Sequence, residues 1–224
     1  AMFDSKSPKE VFKELAGEAA GESFDTATPS KPARRVQTPD PKQNAPAGLP
    51  EARAVIERIY SYRDSLGTEV YQVLRMRPKT FRQRHKAADG SWKWSMDGVT
   101  RVLYRLPEVL QSDEVWIVEG EKDAETLVAL GFEATCNVGG AGKWLEAYTE
   151  SLAGKAVVIC GDTDKAGQDH VRKVMESLAG KVASIRNVKL PADFKDASDY
   201  AATITEPGDA TEAFTNLRNH APLL

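Results

Sequence analysis

Three short clusters of carboxylates, each standing where a strand should end, constrain this chain more than any other feature. They are Glu119-Gly120-Glu121-Lys122-Asp123 after Val115-Trp116-Ile117-Val118, Asp162-Thr163-Asp164 after Val157-Val158-Ile159-Cys160, and Lys195-Asp196-Ala197-Ser198-Asp199. Short apolar runs read as strands buried on both faces, and the stretches between them read as helices. Together they predict an α/β unit with a mostly parallel sheet and flanking helices. Open α/β sheets bind ligands at the carboxyl ends of their strands, which would gather the three clusters on one rim. Carboxylates so gathered repel unless a cation neutralises them, and hard oxygen donors suit Mg²⁺. Metal-dependent chemistry on phosphate is therefore the first reading.

Strands are expected over 115–118, 133–138, 156–160 and 184–190, with helices over 121–130, 142–152 and 165–178 and a weak terminal helix over 211–218. Upstream the apolar period changes to two. Strands over 56–62, 70–76, 80–84 and 92–96, joined through a polar stretch with Gly67 and the turn Ala88-Asp89-Gly90, predict a small antiparallel sheet. Residues 102–110 bridge the two architectures. From Arg75 to Arg105 there are nine Lys or Arg against two acids, in a chain of net charge −3. Phe81, Trp92 and Trp94 alternate with Arg82, Arg84 and Lys93. One sheet face is expected to bury the aromatics, the tryptophans as core rather than as stacking platforms, while the other offers a cationic stripe to phosphates. An ordinary solvated face is the competing reading.

Residues 3–21 suit a short helix with Val11, Phe12 and Leu15 on one side. Residues 22–50 are rich in Pro, Thr, Ser, Lys and Ala, cannot bury enough apolar surface to offset ordering, and predict a flexible linker. The expected organisation is helix and linker over 1–50, a basic β-rich subdomain over 51–111, an α/β domain over 112–205 and a helical tail over 206–224. Ala1-Met2 reads as a remnant before a start, so a longer natural protein is expected. Cys136 and Cys160 sit in apolar runs and are expected as buried free thiols. With no membrane-length apolar run and no signal pattern, the cytoplasm is the expected compartment.

Each cluster also has an ordinary reading. Glu121 and Asp123 complement a helix dipole, Asp162 and Asp164 can cap and open the next helix, and acids such as Asp196 and Asp199 are common at helix starts. Recurrence at one topological place favours function. The run Gly139-Gly140-Ala141-Gly142-Lys143 has the spacing of neither a Walker A loop nor a dinucleotide fingerprint. A tight strand-to-helix connection explains its glycines equally well, with Gly140 and Lys143 placed to line the same crevice.

The set Glu119-Gly120-x-x-Asp123, Gly161-Asp162-x-Asp164-x-Ala166-Gly167 and Lys195-Asp196-x-x-Asp199 resembles the Toprim domain of topoisomerases and bacterial-type primases, over about 113–200. Tyr62-Arg63-Asp64, the basic hairpins and Arg101-Val102-Leu103-Tyr104-Arg105-Leu106-Pro107-Glu108 resemble the N-terminal subdomain of phage and plasmid primases. The resemblance implies a primase catalytic core that makes short RNA primers by metal-dependent nucleotidyl transfer. It casts Glu119 as general acid/base or metal-organising carboxylate, Asp162 and Asp164 as the main Mg²⁺ ligands, and Asp196 as completing the site. Asp123 and Asp199 are second-rank members, and Mn²⁺ would substitute for Mg²⁺. Arg75, Arg77, Lys79, Arg82, Arg84, Arg101 and Lys143 would grip nucleic acid or nucleotide. The implied partners are single-stranded DNA template, ribonucleoside triphosphates and a replicative helicase, in a bacterial or phage-infected cell.

Departures from that family are plain. Cys136, Cys160, His85, His170 and His220 are scattered, so no zinc-ligand spacing exists here; either a zinc module stood before this sequence, which the long linker favours, or the protein lacks one. No Walker A motif occurs, which places any helicase portion elsewhere, and the usual C-terminal helical subdomain is reduced. A Toprim nuclease, with water replacing the 3′-hydroxyl, and a non-catalytic nucleic-acid or replisome-binding module are the alternatives. A topoisomerase is disfavoured because the chain is too short for a separate tyrosine domain.

Overall fold

Two four-stranded sheets organise residues 54–224, the part of the chain that the computed structural model describes. The helix expected over 3–21 and the linker over 22–50 lie outside the described residues. The first sheet is antiparallel, in the order β1 (Val55–Arg63), β2 (Glu69–Arg77), β3 (Thr80–Lys86) and β4 (Trp92–Lys93). Asp64 closes the first hairpin, its Oδ1 taking the N–H groups of Leu66 and Thr68 at 2.9 Å each, while Arg63 donates to the Gly67 carbonyl at 2.8 Å. β4 is shorter than the expected 92–96 because local bonds compete with the ladder. His85 Nδ1 meets the Ser95 carbonyl at 2.7 Å, and the Ser95 hydroxyl accepts the Asp97 N–H at 3.0 Å.

Register decides which side chains share a face. Tyr60 stands opposite Val73, Tyr62 opposite Tyr71 and Arg75 opposite Phe81, so these residues lie on the inner face with Gln83. Arg82, Arg84 and Lys86 lie on the outer face. The tyrosines of β1 and β2 turn into the core, and Trp92 and Trp94 lie outside it. Trp94 remains 48% exposed. Arg82 sits 4.3 Å over the Trp94 ring and Arg84 4.0 Å over that of Trp92. The expected segregation of buried aromatics from exposed cations is therefore corrected: tryptophan and arginine stack together on the outer face, where a weakly hydrated guanidinium gains from an aromatic surface. Phe81, 49% exposed, is the inner-face exception to aromatic burial.

The second sheet has the order β6-β5-β7-β8, all parallel: β5 (Glu114–Ile117), β6 (Ala134–Thr135), β7 (Ala156–Ile159) and β8 (Ser184–Asn187). It is wrapped by α1 (Leu106–Gln111), α2 (Glu121–Ala129), α3 (Glu146–Glu150), α4 (Lys165–Leu178), α5 (Ala197–Ala201) and α6 (Pro207–His220). Side chains alternate between faces. Val115, Ile117, Val157 and Ile159 pack with Val171, Val174 and Leu178 of α4. Trp116, Val118, Val158 and Cys160 pack with Leu127 and Phe214, and also with Tyr60, Tyr62 and Tyr71 of the first sheet. The fully buried Phe214 makes α6 part of the core rather than the weak terminal helix expected. Cys136 and Cys160 are buried and unpaired, as expected.

β6 is shorter than the expected 133–138. Beyond Thr135 the chain leaves the ladder, and the Cys136 carbonyl accepts the Tyr104 N–H at 3.0 Å. The helix expected over 142–152 contracts to α3, since Gly142 has φ +78° and gives its N–H to a side chain instead of opening a helix. β8 stops at Asn187, alongside the end of β7. No helix among the described residues is long and apolar enough to cross a membrane.

Candidate active site

Each acidic cluster follows a strand of the parallel sheet directly or within a short loop, and each opens a helix. β5 leads through Val118 into Glu119, with Gly120 as N-cap of α2. β7 leads into Asp162 and then Asp164, the N-cap of α4, whose Oδ1 takes the Gly167 N–H at 2.9 Å. Past β8, Asp196 is the N-cap of α5 and takes the Asp199 N–H at 2.8 Å. Capping thus accounts for one oxygen of Asp164 and one of Asp196. Gly167 is set by close approach, since a Cβ there would lie 2.5 Å from the Asp162 carbonyl oxygen. Only glycine lets α4 start so tightly against Asp162.

These ends border a cleft of about 400 Å³. One wall comes from the parallel sheet: Glu119, Glu121, Lys122, Asp123, Gly139, Gly140, Asp162, Lys195 and Asp196. The other comes from the inner face of the antiparallel sheet: Tyr60, Val73, Arg75, Lys79, Phe81 and Gln83. A larger groove of about 840 Å³ beside α6, lined by residues such as Met175, Lys189 and His220, contains no carboxylate side chain.

Burial pushes the Glu119 carboxyl up to about 7, reinforced by the charges of Asp162 and Asp164 and opposed by Lys195. Its Oε2 is buried and accepts no hydrogen bond. Asp162 is also raised by burial, and Lys195 Nζ restrains the shift from 3.0 Å. Asp123 is buried and accepts the Ser198 N–H at 2.9 Å, tying α2 to α5; burial and the charge of Asp196 raise it. Burial acts upward on Asp196 too, but bonds from the Ser198 hydroxyl and the Asp199 N–H carry it below the usual carboxylate range. Asp199 turns back to accept the Lys195 N–H at 3.1 Å and does not line the cleft.

Of the basic residues singled out in the sequence, Arg75 and Lys79 line this cleft. Arg75 also shares Glu57 with Arg77, each at 2.9 Å. Arg77, Arg82, Arg84, Arg101 and Lys143 are not part of its lining. Arg82 and Arg84 belong to the outer tryptophan face. The cleft also takes in Lys122 and Lys195 from the acidic runs, Phe81, which was expected to be buried, and Gln83. Lys195 could have been found as the cation beside the third acidic cluster, and Phe81 and Gln83 by counting in twos from Arg75 across the β2–β3 register.

Oxygen donors of this kind suit a hard cation. Among the described residues no group of three His, Cys, Asp or Glu side chains is close enough to hold a metal ion alone. That sparse arrangement fits Mg²⁺, which keeps water and uses one or two carboxylates with substrate phosphates. The unpartnered Glu119 Oε2, beside the raised Asp162, is an oxygen that such an ion would satisfy.

The parallel sheet with its acidic rim is the Toprim-like part of the fold. Residues 116–201 match the Toprim-like family. The primase fragment of the bacteriophage T7 primase-helicase protein is 23% identical, with TM-score 0.52 over 70% of this chain and 60% of that one. The Aquifex aeolicus primase, with zinc-binding and RNA polymerase domains, is 17% identical, with TM-score 0.58 over 74% and 40%. A DnaG primase catalytic domain bound to single-stranded DNA is 21% identical, with TM-score 0.53 over 73% and 52%. The chain therefore has the fold of these catalytic cores while spanning 40–60% of their chains. No curated protein sequence matches it.

Proposed function

We propose that this chain is the catalytic core of a DNA primase, joining ribonucleoside triphosphates into short RNA primers on single-stranded DNA. The observation that carries the reading is the two-walled cleft, with Glu119 and Asp162 on one side and Arg75 and Lys79 on the other. A nuclease acting with water has no need of a second, cationic wall for a triphosphate. Glu119 and Asp162 would hold Mg²⁺, with the charge of Asp164 nearby although it is not part of the cleft lining; the ion when bound would offset phosphate charge and make a 3′-hydroxyl easier to ionise. Arg75, Lys79 and Lys195 bind the triphosphate, and Phe81 offers a ring to a base at the mouth. Glu119 would take the hydroxyl proton at Oε1, leaving the buried Oε2 to the ion. Asp196 and Asp123 hold α5 against α2 and keep the rim in shape. The outer arginine–tryptophan face takes the template, its guanidinium groups on phosphates and its rings on bases. A helicase partner is the natural extension, since the T7 neighbour is a primase-helicase protein.

The test is primer synthesis from labelled ribonucleotides on single-stranded DNA with Mg²⁺, with Asp162→Ala beside the unmodified chain. Short RNA is expected, reduced about a hundredfold or more in the variant. Degraded template without RNA would replace this reading with a nuclease. Template binding without chemistry would leave a binding module, or a core that acts only with further domains.

A further inference from the structure

The glycine connection 139–143 meets the cleft, and a buried histidine behind it has so far had no role. His170, on α4, is 5% exposed. Its Nδ1 accepts the Gly142 N–H at 3.1 Å, so the ring proton resides on Nε2, which donates to Asn137 Oδ1 at 3.1 Å. That bond orients the Asn137 amide, whose Nδ2 donates to the Gly140 carbonyl at 2.8 Å and to the Val138 carbonyl at 3.3 Å. Asn137 is 1% exposed. Two side chains thereby hold the connection at two points, Gly140 and Gly142. Gly140 has φ +66°, and the place a Cβ would take lies 3.8 Å from Glu119 Oε1. The backbone so held runs beside the Glu119 carboxylate in the cleft lining.

We propose that His170 and Asn137 are positioning residues that set the connection 139–143 against Glu119 and so hold that carboxylate in its working place. Neither touches the cleft; both act through Gly140 and Gly142. The proposal rests on Glu119 being the site carboxylate proposed above. The ring must be neutral to do this, because a proton on Nδ1 would face the Gly142 N–H. Burial, with Lys173 on the same helix, holds His170 below its usual value. A merely structural cluster would be satisfied in the same way, so the test needs readouts other than stability.

His170→Phe fills the space and removes both bonds; His170→Asn keeps an acceptor for Gly142; Asn137→Asp loses the donor to Gly140. Mn²⁺ affinity, read from the free-ion electron paramagnetic resonance signal without nucleotide, is measured for each folded variant beside kcat and KM for primer synthesis. The expected result is Mn²⁺ binding weakened about tenfold or more in His170→Phe and Asn137→Asp, as for partners behind a metal ligand. kcat should fall roughly tenfold or more with little change in KM, and His170→Asn should recover most of both. If His170→Phe does not fold, Asn137→Asp against His170→Asn gives the same comparison. Folded variants with unchanged Mn²⁺ affinity and kcat overturn the proposal and leave the primase reading intact. A wild-type chain that binds Mn²⁺, weakened in the variants, but makes no primers fails the primer-synthesis test of the primase reading and leaves this proposal standing. A wild-type chain that binds no Mn²⁺ overturns it as well.

Discussion

Glu119 changes its proton content across neutral pH, and that has a sign. Its carboxyl titrates near 7 in the folded protein, because of burial and then Asp162 and Asp164, against 4.5 for an ordinary glutamate. The folded state holds this proton more tightly than the unfolded chain. Its contribution to stability is thus fully present below 4.5 and is lost as pH rises through 7. Glu119→Gln removes that loss. Its melting temperature is expected to match the wild type near pH 4.5 and to exceed it by about 2–4 °C at pH 8, with Mg²⁺ raising the wild type and narrowing the gap. Thermal denaturation at both pH values, with and without Mg²⁺, checks this. At this scale the sequence reads well where one side chain has one setting: a carboxylate at a strand end, as at Glu119 and Asp162. It reads poorly where the setting belongs to another element. Nothing around Asp123 in the chain announces the Ser198 N–H that it receives, and nothing near His170 announces Asn137.

Elements were legible in proportion to their length. α4 spans the expected 165–178, because Asp164 caps it and its apolar residues recur on one side over fourteen positions. α1 and α5, of six and five residues, were not foreseen. Helices so short have little stability of their own and exist by what they pack against. Arg105, which opens α1 at φ +56°, is held there by Glu133 at 3.1 Å, a contact distant in sequence. In β3 and β4 the alternation was visible but the face was not, since register and the crowding of tyrosines inside decide it. That correction carries a prediction for the outer strand face. Trp94→Ala is expected to weaken single-stranded DNA binding about tenfold, the worth of roughly one stacked base, with the melting temperature nearly unchanged. Fluorescence anisotropy at one fixed salt concentration measures it, since affinity for a polyanion moves with salt.

For residues 54–224, which lie within one compact unit, the notable property is a core shared by both sheets. Tyr62 carries much of that sharing: fully buried, it stacks on Tyr71 at 4.5 Å and donates to Glu121 Oε1 at 2.8 Å. Tyr104 makes a parallel link to Glu125 at 3.1 Å. The two sheets are therefore expected to unfold together, with tryptophan fluorescence and far-ultraviolet circular dichroism giving one coincident transition in denaturant. Tyr62→Phe, which leaves the buried Glu121 short of a donor, should lower stability by about 1–3 kcal/mol while preserving that coincidence. Two separated transitions would contradict it. The change of period near position 100 announced two architectures, but not this joint. Period records which way a side chain faces and is silent on what it meets.

The ion pair between Lys195 and Asp162 gives the cleft a resident competitor. An incoming cation must evict an ammonium tethered to the same rim, and that ammonium leaves most readily when an anion is present to receive it. On the proposed function, metal and triphosphate would enter as a coincidence, each favouring the binding of the other, and free Mg²⁺ would not by itself switch the site on. Lys195→Met should uncouple them. It is expected to bind Mn²⁺ more tightly than the wild type without nucleotide and to gain little from adding one, which paired titrations would read directly.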